Sequence, residues 1–162
     1  MKCIIAILEG ISPQWVYAFM DHGRLPNFDR LCRTGKTGEL VCNPIPYEAA
    51  GITSAFSGVS EQEHGIVSYW KPVNPDYIPV LWESSDVRGQ MFWNHEPYRH
   101  LNYRIVNIFG TQPTYPIQGK MLSYSMVKNL KFSYPPSLTM ELYKKKIPYL
   151  QELGINQIQC MP

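Results

Sequence analysis

Two carboxylates stand where this chain could perform acid–base chemistry. Glu9 directly follows an apolar run, and Glu48 lies at the start of a segment rich in small residues. An ionisable side chain just after a buried strand lies where parallel sheets bind their ligands. If Glu9 and Glu48 converge, their mutual repulsion raises one carboxyl pKa, so that one group can donate a proton and the other can accept one. A metal-free carboxylate pair is therefore one hypothesis.

Each candidate also has a structural interpretation that the sequence leaves open. Glu9 could cap the helix that follows it, because a helix N-terminus favours negative charge. Glu48 could stabilise the first turn of its own helix in the same way. His64 is expected to hydrogen-bond the backbone of its own turn rather than to act in catalysis.

Predicted strands and helices alternate along the chain and must position these side chains. Cys3–Leu8 is continuously apolar and rich in isoleucine, which is typical of a central parallel strand. Further strands are predicted at Gly38–Cys42, Tyr103–Phe109 and Ile155–Cys160. Five helices are predicted. The first begins after Ser12-Pro13, and the second begins after Leu25-Pro26 and ends at Gly35. The others are expected over about Tyr47–Ser57, over Pro79–Arg88, and from Tyr134-Pro135-Pro136 to Pro148, where proline breaks the helix. Residues 58–78 are predicted to form a loop. The alternation predicts an α/β fold with a mostly parallel sheet flanked by helices.

Composition narrows the class of protein. The 162 residues suit a single domain or a fragment of one, spanning 1–162. A net charge of +2 gives no reason to expect nucleic acid as a partner. No apolar run approaches the ~20 residues of a membrane span, and the start lacks a signal-peptide pattern, so a cytoplasmic location is predicted. The four cysteines show no C-x-x-C spacing, which disfavours a zinc knuckle or redox motif.

Residues 4–66 carry an ordered set of short motifs. They are Leu8-Glu9-Gly10, Leu25-Pro26-Asn27-Phe28, Gly38-Glu39-Leu40, the Pro44–Glu48 turn, Thr53-Ser54, Ser57-Gly58 and His64-Gly65-Ile66. In this order and spacing the set resembles the opening of the type I phosphodiesterase/nucleotide pyrophosphatase family, within the alkaline phosphatase superfamily. The resemblance continues more loosely to about residue 143. It implies a half-domain like that of alkaline phosphatase.

The resemblance also implies a site. The family binds a divalent metal through an Asp after its first strand and attacks phosphorus with a metal-activated threonine in the proline turn, and these positions fall on Glu9 and Glu48. Its phosphate-contacting Asn falls near Tyr69. We therefore expect zinc or manganese at Glu9, a catalytic position at Glu48, and substrate binding by Tyr69 and by Thr53, the nearest hydroxyl if the nucleophile has shifted. The superfamily takes its remaining ligands from later Asp and His residues, whereas no Asp or His follows residue 120 here.

Three functional hypotheses remain open. The chain could be a hydrolase acting on small anionic phosphoesters, either as a compact variant or with its site completed by another chain. It could be a catalytically degenerate binding or assembly module, working as a homo-oligomer or as part of a larger parent chain. It could also use the carboxylate pair, without metal, for acid–base catalysis on the same scaffold. Neither nucleic acid nor a membrane is expected as a partner.

Overall fold

The computed structural model describes residues 2–41, 45–72, 80–87, 91–124, 131–147 and 149. The chain forms two compact units, Met1–Val41 and Cys42–Pro162. Both helices and a small sheet are present, so the protein is α/β in character. Among the described residues, no helix combines the length and apolarity that crossing a membrane requires.

The first unit contains two helices, α1 (Pro13–Asp21) and α2 (Pro26–Thr34). Each begins at a proline, whose fixed backbone angle and missing N–H suit the first helical position. Gly35 follows α2, and its N–H donates to the carbonyl of Leu31 at 2.8 Å. Both helices were predicted from the sequence and are confirmed.

The two predicted strands of the first unit are not found. Cys3–Leu8 has no strand structure, and Ile4 is 91% exposed. The described part of Gly38–Cys42 is also irregular, with Leu40 at 93% exposure. An apolar run becomes a strand only when a neighbouring strand takes up its backbone hydrogen bonds, and no described strand does so here.

The second unit contains the sheet and the remaining helices. In chain order these are α3 (Glu48–Ser57), α4 (Glu61–His64), short 3-10 turns at Ser84–Asp86 and Phe92–Asn94, β1 (Tyr103–Ile108), β2 (Gly119–Ser123), β3 (Ser133–Tyr134) and α5 (Ser137–Lys144). The helix predicted over about Tyr47–Ser57, the strand at β1 and the helix after Pro136 are confirmed. The strand predicted at Ile155–Cys160 and the break at Pro148 lie outside the described residues.

The sheet is small and mixed. β1 and β2 run parallel, whereas β2 and β3 are antiparallel, in the order β1-β2-β3. A mostly parallel sheet is therefore not confirmed. The sequence analysis missed β2 and β3, since a five-residue strand and a two-residue strand carry too little hydrophobic periodicity to be recognised.

A bulge interrupts the pairing of β1 with β2. Val106 faces Leu122 and Ile108 faces Ser123, so Asn107 is an extra residue in β1. Asn107 has a φ of +55°, a left-handed conformation that asparagine adopts more readily than most residues. Pairing resumes at Ile108, and Phe109, which directly follows β1, is 2% exposed.

Small residues let α3 pack closely in the core of the second unit. Ala49 and Ala50 are fully buried, as the run of small residues in this segment predicted. The core cluster consists of Ala49, Ile52, Phe56, Ile66, Met91, Trp93, Ile105, Phe109 and Met121. It fixes α3 within the second unit, and α3 in turn fixes the direction of the side chains at its N-terminus.

Two segments between α3 and β1 depart from prediction. The helix expected over Pro79–Arg88 is wrong for its described part, because Leu81 forms an antiparallel bridge with Trp70 and only Ser84–Asp86 makes a helical turn. The predicted loop over residues 58–78 contains α4, which begins with a capping box in which the Ser60 N–H donates to the Glu63 carboxylate at 3.0 Å. Tertiary pairing and local capping thus override the weak patterns of these segments.

Candidate functional site

Glu48 is the first residue of α3. Tyr47 before it is extended, and the carbonyl of Tyr47 accepts the first helical hydrogen bond from Gly51 at 2.9 Å. The Glu48 side chain is partly buried. Its carboxylate lies at the positive end of the helix dipole, as its structural interpretation expects, and that end offers partial compensation for a negative charge.

Tyr69 contacts Glu48 directly. The Tyr69 hydroxyl donates a short hydrogen bond to Glu48 Oε2. The other oxygen, Oε1, is buried and has no hydrogen-bond partner among the described residues. The structure therefore brings together two of the predicted site residues, which lie 21 positions apart in the sequence.

The Tyr69 ring packs against three other aromatic rings. We call the four residues together, Tyr47, Tyr69, Phe109 and Tyr124, the aromatic cluster. The Tyr69 ring stacks on Tyr124, with centroids 6.3 Å apart and planes 4° apart. Phe109 and Tyr47 meet Tyr69 edge-on, at centroid distances of 5.6 and 5.2 Å. Phe109 follows β1 and Tyr124 follows β2, so the cluster lies beyond the carboxyl ends of the two parallel strands, where α/β folds bind ligands.

The surroundings keep Tyr69 protonated. Burial raises the pKa of the Tyr69 hydroxyl far above its usual range, and the hydrogen bond to Glu48 and the interaction with Tyr124 raise it further. A phenol held in this state is a fixed hydrogen-bond donor and a poor proton donor in catalysis. Tyr69 therefore serves to orient the Glu48 carboxylate.

Thr53 lies inside α3, five residues after Glu48. It is fully buried, and its hydroxyl donates to the carbonyl of Ala49 at 2.7 Å. This contact matches the helix-packing role that the sequence left as an alternative. Its part in substrate binding stays a prediction.

His64 has the structural role that was predicted for it. The Ile66 N–H donates to His64 Nδ1 at 3.0 Å, so the ring proton is on Nε2, which donates to the Ser54 hydroxyl at 2.9 Å. Burial lowers the pKa of the His64 imidazole. Because its Nε2 already carries a proton, His64 cannot accept one from Ser54, and the pair is not an activated nucleophile.

Glu9 lies in the first unit, in an exposed turn that Gly10 completes with a φ of +69°. A two-metal site needs several carboxylate and imidazole ligands. In the described ranges, no three His, Cys, Asp or Glu residues are grouped so that they could hold a metal ion. The donors present there do not fit the metal centre that the resemblance implies. Metal binding by Glu9, and its convergence with Glu48, stay predictions.

The sequence analysis missed the part that Tyr124 plays in the aromatic cluster. Tyr124 follows β2, and because β2 was not recognised, the chain offered no signal that a strand end lies there. Phe109 was predicted only as the last residue of a buried strand. Its position beside Tyr69 depends on the bulge at Asn107, which hydrophobic alternation does not reveal.

Comparison with protein-family models identifies the family that the chain resembles. The sequence model of a family described as type I phosphodiesterase / nucleotide pyrophosphatase matches residues 3–158. Neither the comparison with curated proteins nor the comparison with solved structures found a match.

Proposed function

Because the chain belongs to the type I phosphodiesterase/nucleotide pyrophosphatase family, we propose that it is a catalytically degenerate member that binds a ligand at Glu48. The observation that carries this proposal is the state of the Glu48 carboxylate. One of its oxygens accepts the Tyr69 hydrogen bond, while the other is buried without a donor. A buried carboxylate oxygen in this state is a binding position that a ligand can complete.

The charge of Glu48 disfavours attack on phosphorus. A phosphoester substrate is an anion, and two like charges about 4 Å apart repel by about 4 kcal/mol at an effective dielectric constant of about 20. The Tyr69 hydrogen bond also draws on the electron density that a nucleophilic carboxylate would need. The resemblance implies a metal-activated threonine at this position, and there the metal would compensate the charge of the attacking oxygen.

The available donors support the same proposal. Glu9 supplies one exposed carboxylate, and no Asp or His follows residue 120 of this sequence. Two-metal chemistry would need ligands besides Glu9, and the described residues offer no group of three metal-binding side chains.

A second candidate is a phosphoester hydrolase whose site is completed by another chain. The observation that favours it is the direct contact of Glu48 with Tyr69, since the resemblance assigns these positions to the nucleophile and to a phosphate contact. Glu9 would then hold zinc or manganese, and the substrate would be a small anionic phosphoester. Acid–base catalysis by Glu9 and Glu48 without metal stays a prediction.

Hydrolysis and metal content separate these candidates. We would assay bis(p-nitrophenyl) phosphate with the full chain, Glu48→Gln and Glu9→Ala, with and without added zinc or manganese, and measure bound metal in each protein. The proposal expects no hydrolysis that depends on Glu48 and no stoichiometric metal that depends on Glu9. Metal lost in Glu9→Ala, together with hydrolysis lost in Glu48→Gln, would overturn it in favour of the hydrolase.

A further inference from the structure

The Glu48 carboxylate has a missing partner whose chemistry can be inferred. We infer that the ligand bound there presents a protonated amine, an ammonium group, to Glu48 Oε1. This inference rests on the proposed function, because it names the ligand class of the same site. The argument uses the charge of the carboxylate, its burial and the rings around it.

No cation of the protein neutralises Glu48 in the described part of the second unit. The ion pairs there are Lys71 with Asp86, Arg99 with Glu96, and Lys120 with Glu141. Glu48 Oε1 is buried all the same, and Tyr69 gives the carboxylate a hydrogen bond but no positive charge. A carboxylate with one oxygen removed from water is stabilised best by a donor that also carries positive charge.

The aromatic cluster favours the same kind of ligand. The faces of aromatic rings carry partial negative charge, so ammonium groups bind near tyrosine rings as well as near carboxylates. Tyr47, which precedes Glu48, is 42% exposed, so part of the cluster is open to solvent. A buried carboxylate next to tyrosine rings thus combines the two features that recognise an ammonium group.

Other ligand classes fit less well. An inorganic or organic phosphate would meet the repulsion of Glu48. A hard divalent cation requires several oxygen ligands, and the described residues offer no group of three metal-binding side chains. A neutral alcohol could donate a hydrogen bond to Oε1 but would leave the buried charge uncompensated. Of these four ligand classes, only an ammonium group supplies both a hydrogen bond and a positive charge.

Calorimetric titration of the folded full chain with putrescine tests the inference. Butylammonium chloride serves as a monovalent ammonium probe, and n-butanol and sodium phosphate are the matched uncharged and anionic probes. We expect putrescine and butylammonium to bind, n-butanol and phosphate not to bind, and Glu48→Gln to weaken the amine affinity at least tenfold. Glu96→Gln removes a negative charge from a side chain that is 86% exposed and should leave the affinity unchanged.

The outcomes separate this inference from the proposed function. Equal amine affinity in Glu48→Gln and the unaltered chain, binding of phosphate in place of amines, or no amine binding at all would overturn the ammonium assignment. The proposed function would still stand if hydrolysis remained absent, whereas Glu48-dependent hydrolysis would remove both. If Glu48→Gln fails to fold, the comparison of butylammonium with n-butanol on the unaltered chain still decides the inference.

Discussion

Replacing Tyr69 by phenylalanine removes one hydroxyl and keeps the ring that stacks on Tyr124. The lost group is the only donor to the Glu48 carboxylate that the described residues provide. Both carboxylate oxygens would then lie without a protein donor at the start of α3. We expect Tyr69→Phe to lower the free energy of unfolding.

The magnitude follows from the charge of the acceptor. Hydrogen bonds to charged groups contribute about 1.5–3 kcal/mol, more than bonds between neutral groups. Glu48 is only partly buried, so water can replace part of the lost bond, and we expect a loss of about 2 kcal/mol. At roughly 3–5 °C per kcal/mol for a unit of this size, the midpoint of thermal unfolding should fall by roughly 6–10 °C.

Urea denaturation followed by circular dichroism measures this loss, and Tyr143→Phe is the matched control. Tyr143 lies in α5 and is 78% exposed, so its replacement should change stability by no more than about 0.5 kcal/mol. Glu48→Ala completes a double-mutant cycle, because alanine cannot accept the Tyr69 hydrogen bond. The cycle should show a coupling energy of about 1 kcal/mol or more between the two positions.

A Tyr69→Phe result within about 0.5 kcal/mol of the Tyr143→Phe control would refute the reasoning. It would mean that the Tyr69 hydroxyl does not stabilise the carboxylate in solution. A coupling energy near zero, with Tyr69→Phe still destabilising, would locate the loss in the aromatic cluster instead of in the hydrogen bond.

Three further predictions concern titration and backbone geometry. Because burial lowers the pKa of His64, the unfolded chain binds a proton at His64 more readily than the folded chain does. The contribution of His64 to stability is therefore present above about pH 6.5 and is lost as the pH falls below that value. If the imidazole proton resonance of His64 titrates in the ordinary range, this prediction is contradicted. Burial raises the pKa of Tyr149 to about 12. Its contribution to stability is therefore present below about pH 10 and is lost as the pH rises through about 12. An ultraviolet titration of Tyr149→Phe should lack this late-ionising phenol. Gly119 has a φ of +138° and an added Cβ would lie 2.1 Å from the Tyr103 carbonyl oxygen, so Gly119→Ala should cost at least about 3 kcal/mol in urea unfolding. The matched change Gly51→Ala, in open space within α3, should instead stabilise the chain by about 0.5–1 kcal/mol, and equal effects of the two changes would contradict the backbone argument.

Local signals predicted the helices well. Proline at a helix start and glycine after its end act within one turn, so α1 and α2 follow from the sequence alone. The small residues of α3 predicted its close packing for the same reason, since the packing surface lies on one short segment.

Strand prediction depended on partners that the sequence does not display. Cys3–Leu8 has the composition of a buried strand, yet a strand exists only through hydrogen bonds to another strand. Conversely, Gly119–Ser123 has a weak pattern but forms β2 because it pairs with both β1 and β3. Hydrophobic composition therefore misjudged these segments in opposite directions.

The resemblance anticipated that Glu48 and Tyr69 lie close together, whereas their roles at a site stay predictions. The resemblance assigned Glu48 and Tyr69 to one site, and the structure joins them by a hydrogen bond. No sequence pattern showed that one Glu48 oxygen would be buried without a donor, or that Tyr124 would stack on Tyr69. The position of Tyr124 depends on where β2 ends, which is a property of the sheet and not of any short motif.

The extra residue in β1 has a consequence for comparing this chain with its relatives. Side chains alternate between the two faces of a strand, so without a bulge one inserted residue would exchange the faces of everything that follows it. The bulge absorbs Asn107, because Ile108 still faces Ser123 as it would in a strand one residue shorter. A relative that lacks a counterpart of Asn107 would therefore keep its equivalent of Phe109 on the same face, and a single alignment gap at this position would be compatible with the same aromatic cluster.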